Sequence, residues 1–174
     1  MIFPWQRKDS AAKHALRAAN CLREGDLENA YDEYARWAHL EPESAEASFG
    51  HAWSGLQALT AKGVAEEVVA ATCIPLFERT LSLNRASPSL NALQLAAAHL
   101  SLAMFAARRG ENTQAMRHHE AVIAAAPRSR PSILSRNELA LGGGYGPGDL
   151  GKAERLLKEA LEIDPSDEQT LHNL

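Results

Sequence analysis

Nowhere in the 174 residues does an apolar run approach the roughly 18 residues that a membrane span needs. The N-terminal MIFPWQRKDS also lacks the apolar stretch of a secretory signal, which makes the cytoplasm the expected compartment. Cysteine is nearly missing. Cys21 and Cys73 are the two present, both set among apolar residues and neither in a CxxC pair, so both read as small core residues. Charge of one sign does not dominate either, since the formal net charge is −4. Six arginines lie at 108, 109, 117, 128, 130 and 136, but no aromatics are interleaved with them. With a negative chain around them, a nucleic-acid partner is not expected.

Chemistry-bearing motifs are scarce as well. A metal site on a helix needs ligands at helical spacing. His118, His119 and Glu120 are consecutive and diverge around any helix, while His14, His39, His51, His99 and His172 are scattered. No metal site is expected. A nucleophile needs an adjacent base and an orienting group, and the sequence offers neither an elbow motif nor a Cys–His grouping. The glycine-rich LGGGYGPGD, Leu141 to Asp149, invites comparison with a phosphate loop. That motif requires G-x4-G-K-[ST] after a strand; here Gly151-Lys152 is followed by Ala153, and no strand precedes. The stretch reads as a loop between helices. The expectation is a protein that is not an enzyme and carries no cofactor.

What is present is a repeated phrase. In GDLGKAERLLKEALEIDP, Gly148 to Pro165, a turn leads into a helix and then a stop. Asp149 can cap the helix. Ala153, Leu156, Leu157, Ala160, Leu161 and Ile163 recur at the three- and four-residue spacing of one apolar helix face. Gly25, Ala30 and Pro42 repeat the spacing of five and twelve residues, and so do Gly110, Ala115 and Pro127. Three copies with two identical spacings define an array of one helical unit.

Taken in order, Phe3 and Trp5 precede the first helix and could fold back as a lid on the array's end. Ser10 is a cap for a helix to about Glu24, made narrow by Ala15, Ala18, Ala19 and Cys21. Gly25-Asp26 turns the chain, and Leu27, Ala30, Tyr31, Tyr34 and Trp37 line a second helix that ends near Pro42. A third helix is expected from about Ser44 to Ala61, broken by Lys62-Gly63. A fourth begins at Val64 and is kinked or split at Pro75, because proline removes a backbone bond and clashes with the preceding turn. Ser87-Pro88 or Ser89 is expected to start a long helix to about Arg109, projecting past its neighbours. A short helix from about Pro131 to Leu141 precedes the glycine loop. After Pro165, Ser166 begins a last short helix with Asp167 and Glu168 in its first turn.

A small-residue helix, a Gly-Asp turn, a second helix with an alanine and then an aromatic, and a closing proline resemble the tetratricopeptide repeat (TPR). That family's pattern runs W-x2-L-G-x2-Y, A-x3-F and P over a 34-residue period. Ala18, Cys21, Ala30, Tyr34 and Pro42 take these places in the first copy; Leu102, Ala103, Ala106, Gly110, Ala115, His119 and Pro127 in another; Gly148, Ala153, Leu157, Ala160 and Pro165 in the last. The first-helix tryptophan is absent throughout. Gly25 to Gly110 spans two periods plus seventeen residues, so one enlarged repeat lies between. The resemblance implies an all-α, right-handed solenoid of antiparallel helix pairs forming a single domain. Its repeats would run about 10–43, 44–87, 88–129 and 130–165, with a partial capping helix over 166–174.

In this family the first helix of each repeat lines a concave surface that takes peptides. Carried over, the resemblance implies a groove built from Phe49, Trp53, Leu56, Leu100, Met104 and Arg108, with Tyr145 nearby, and a basic edge of Arg108, Arg109 and Arg128. The equally open reading is that these apolar residues are ordinary inter-helix core. The family's clamp for C-terminal carboxylates uses lysine and asparagine, but the corresponding Ala15, Ala19, Phe49 and Trp53 are apolar, which argues against a chaperone partner. The implied function is a non-catalytic adaptor that binds a peptide or helix of a partner protein. The alternative is a scaffold that self-assembles, because residues 107–136 carry a local +4 and residues 137–174 a local −5.

Overall fold

The structure is a computed structural model that describes residues 4–142 and 150–174, with side chains from Ser10 onward. Among the described residues there are α-helices and no strands. The chain divides into two compact units, Met1–Leu90 and Asn91–Leu174.

The first unit holds α1 (Pro4–Glu24), α2 (Leu27–Leu40), α3 (Ala45–Ala61) and α4 (Glu66–Ala86). α1 pairs with α2, α3 pairs with α4, and α2 packs against α3. α1 starts at Pro4, earlier than the Ser10 start read from the sequence. Proline suits the first turn of a helix, where its missing N–H would have had no partner. Gly25, at φ 78°, takes the left-handed turn that ends α1, and the Asp26 side chain then accepts from the Asn29 N–H to cap α2. Ser44 caps α3 in the same way through the Ala47 N–H.

Pro75 neither stops nor splits α4, which runs unbroken for 21 residues. Its ring lies on the exposed side of the helix, and so does Ala71, whose carbonyl loses its intrahelical partner. Water can satisfy that carbonyl, so the helix survives the lost bond.

The second unit holds α5 (Ala92–Arg108), α6 (Asn112–Ala125), α7 (Arg130–Leu141), α8 (Leu150–Ile163) and α9 (Glu168–Asn173). α6 lies between α5 and α7, α8 pairs with α7, and α9 rests on both α7 and α8. The long protruding helix expected from Ser87 is not formed. α5 begins at Ala92 and has 17 residues, the same length as α3. The Asn84 side chain accepts from the Ser89 and Leu90 N–H groups at 3.0 and 2.9 Å, which holds the preceding stretch as a turn. Asn91 and Gln94 then form a reciprocal capping box that sets the start.

The small residues that define the repeat are interior. Ala18, Ala30, Ala96, Ala103 and Ala160 are fully covered, and Ala115 nearly so, while Ala153 is half-buried. Alanine at a helix contact lets the backbones approach closely, which is how narrow helices pack here.

Candidate functional site

In the first unit the predicted site residues lie on α3. Phe49, Trp53 and Leu56 follow one another at spacings of four and three, which puts them on one face of that helix. The Phe49 and Trp53 rings stack with centroids 6.1 Å apart and planes 13° from parallel. Phe49 is buried, and Trp53 and Leu56 are half-buried. The stripe is therefore an aromatic platform with one covered and one accessible ring.

What fixes the platform is the opposite side of α3, through residues that sequence reasoning passed over. A Cβ at Gly50 would lie 2.2 Å from ring carbons of Tyr34, and one at Gly55 would lie 2.8 Å from the Tyr31 ring. Two tyrosines of α2 thus occupy notches that only glycine leaves open, and Tyr31 also meets His51 at 4.7 Å between ring centres. With α2 locked on that side, the Phe49–Trp53 side is turned away from it. Glycines inside a helix that also contains Phe and Trp were the available signal, since glycine weakens a helix unless something needs the space. On the α4 side, Thr80 donates to Ser48 at 2.9 Å, and Arg79 donates to the Pro42 carbonyl at 2.8 Å.

In the second unit the predicted residues lie on α5. Leu100, Met104 and Arg108 are four residues apart along one stripe. Leu100 packs on the core formed by Ala96, Val122 and Ala126. Met104 is 47% exposed and Arg108 is exposed. The stripe runs from core to surface along the helix. Tyr145 falls outside the described residues, as do Phe3, the Trp5 side chain and the loop residues 143–149. Of the basic edge, Arg109 pairs with Glu111 at 2.8 Å, and Arg128 is exposed.

The arginine run is broken up by its own unit. Arg136 is buried, at 7% exposure, donates to Glu159 at 3.2 Å and bonds the Ser132 hydroxyl and the Pro127 carbonyl. Arg130 lies 3.9 Å from Asp167. These contacts reduce the uniform basic surface that the sequence suggested.

Among the described residues, burial and hydrogen bonding set the state of several ionisable groups. Burial pushes the Cys73 thiol up to about 11, where it stays protonated and a poor nucleophile. Burial, helped by the neighbouring His118, pulls His119 down to about 4, and its Nδ1 lies 3.1 Å from the Ser135 hydroxyl. Burial would raise Glu33, but the hydrogen bond from His14 and the charges of His14, Arg36 and Arg17 outweigh it and hold the carboxyl low. Among the described residues, no group of three or more His, Cys, Asp or Glu is placed to hold a metal. An open, mostly apolar recess of about 390 Å³ lies between α1 and α2, lined by Ser10, His14, Ala35, Arg36, His39 and Leu40. No described helix is long and apolar enough to cross a membrane.

No protein-family model matches the sequence, and no curated protein matches it. Solved structures do match. MamA from Desulfovibrio magneticus RS-1, residues 41 to the end, superposes with a TM-score of 0.66 at 21% identity, covering 93% of this chain and 80% of its own. Another MamA structure gives 0.64 at 19%, covering 89% and 78%. YrrB, described as a TPR protein with an unusual peptide-binding site, overlays only loosely, with a TM-score of 0.41 at 18% identity over 89% and 87%. MamA and YrrB are both TPR proteins. The MamA likeness shows the fold: this chain is all-α, with the TPR-like α-solenoid architecture of helical hairpins.

Proposed function

We propose that this chain is a non-catalytic adaptor whose four hairpins act as four repeats, over about 10–43, 44–87, 88–129 and 130–165. A segment of a partner protein would be held on a helix face within a unit: in the first, the face of α3 that carries Phe49, Trp53 and Leu56; in the second, the face of α5 that carries Leu100, Met104 and Arg108. The observation that carries this reading is the α3 stripe, where the half-buried Trp53 ring stacks on the buried Phe49 ring at 6.1 Å; on α5, Met104 is left 47% exposed, as Leu93 is at 59%. Methionine is a soft, adaptable contact for an apolar partner, and an accessible tryptophan stacked on a buried ring is a typical binding anchor. Helix-in-groove or extended-peptide recognition both use such stripes. The setting we propose is cytoplasmic, which fractionation of the native source checks. Affinity purification from that source with wild-type chain, and with Trp53→Gln and Met104→Gln variants of unchanged helical circular dichroism, tests the proposal. Partner capture is expected to fall at least tenfold in each variant; capture undiminished in both rejects the stripes.

Self-assembly is the second reading. It is favoured by exposed leucines on α8 and α9, Leu150 and Leu171 at 81% and 52%. Light scattering at low and high salt decides it, and a monomer under both conditions dismisses it.

A further inference from the structure

The α5–α6 hairpin brings together two histidines that lie 19 residues apart in sequence. His99 Nδ1 and His118 Nδ1 are 3.0 Å apart, with ring centres at 5.3 Å and planes inclined at 42°. Two imidazole nitrogens this close cannot face each other as bare lone pairs. At 3.0 Å a proton lies between them, one Nδ1–H donating to the other Nδ1.

The spacing suits a metal ion. With Zn–N bonds of about 2.0–2.1 Å and a tetrahedral angle, two ligating nitrogens sit about 3.3 Å apart. Adding about 1.1 Å from each nitrogen to its ring centre places the centres about 5.2 Å apart. The ring centres already have that separation. Only the nitrogens need to part, by a few tenths of an ångström, and a tilt of each ring in place achieves this without moving a helix.

We propose that His99 and His118 form a two-imidazole clip for Zn²⁺, closed by water, that fastens α5 to α6. In the neutral pair one ring carries its proton on Nδ1 and the other on Nε2; on binding, the Nδ1 proton passes through solvent to the Nε2 of the same ring, so both rings ligate as neutral imidazoles. With two protein ligands the ion exchanges readily, unlike a closed four-ligand structural site. His99 points around the helix from the Leu100–Met104–Arg108 stripe, so the clip does not depend on the adaptor reading.

The test uses the full chain, stripped of metal, at neutral pH. Saturating Zn²⁺ is expected to raise the thermal midpoint by about 5 °C, while Mg²⁺ leaves it unchanged. His99→Asn and His118→Gln should each abolish that rise. In the wild-type chain the Nδ1 nitrogen-15 resonances of both rings should move together on zinc addition. No zinc-dependent shift of those resonances, or an equal rise in both variants, overturns the proposal; the first outcome leaves a proton-sharing pair, and the second places zinc on other groups.

Discussion

Gly50 illustrates how much one residue can decide. Glycine inside a helix costs about 1 kcal/mol relative to alanine, so Gly50→Ala would stabilise α3 if the space were empty. The space holds the Tyr34 ring, 2.2 Å from the position of a Cβ, and overpacking a contact of this kind costs about 1–3 kcal/mol. We expect Gly50→Ala to lower unfolding stability by about 1–2 kcal/mol, and Tyr34→Ala in the same chain to recover part of that loss, as read by urea denaturation. His119 makes a second residue-scale prediction. Its pKa falls from 6.5 to about 4 because it is buried. The unfolded chain then binds this proton more readily, and the stability from keeping the ring neutral is whole above pH 6.5. As pH falls from 6.5 towards 4, stability should drop by up to about 1.4 kcal/mol per unit. His119→Gln should flatten that dependence across the same window. An unchanged slope in the variant would remove His119 as its source.

At the scale of the element, α9 shows how a six-residue helix can be held. It is too short to be stable alone. Asn137 of α7 donates to the Thr170 hydroxyl at 2.7 Å, that hydroxyl donates to Asp167 at 2.8 Å, and the Asn173 side chain donates back to the Asn137 side-chain Oδ1 at 2.9 Å. Asn137 and Thr170 are almost wholly buried, so each bond they lose leaves an unsatisfied polar atom. Asn137→Ala should cost about 1–3 kcal/mol, and hydrogen exchange over 168–173 should accelerate more than exchange in α5. α4 gives the opposite case. Pro75 sits in an exposed turn of an intact helix, so Pro75→Ala restores a backbone bond without filling any occupied space. A gain of about 1–2 kcal/mol is expected by the same denaturation measurement, the helix penalty of proline being partly offset by its restraint on the unfolded chain.

For the whole molecule, the question is what kind of force would hold a partner. The net charge is −4, and the arginine run is partly neutralised by Glu111, Glu159 and Asp167. Little uniform field remains to attract a polyanion, and the proposed contacts at Trp53 and Met104 are apolar. Partner capture should therefore persist as salt is raised from about 0.05 to 0.5 M, because apolar burial is not screened while surface charge is. Capture that collapses over that range would point to the arginines instead.

The sequence by itself determined the helices, their turns and the repeat. Gly25, Asp26, Ser44 and Gly110 act through local backbone conformation and capping, and local rules reach a few residues along the chain. It also marked Trp53 and Met104, because a helical stripe is a matter of spacing. Only the tertiary structure decided the survival of α4 past Pro75, the fit of Tyr31 and Tyr34 against Gly55 and Gly50, and the meeting of His99 with His118. Each of these turns on what occupies the space beside a residue from a distant part of the chain, or on whether water reaches a freed carbonyl. No spacing along one helix carries that information.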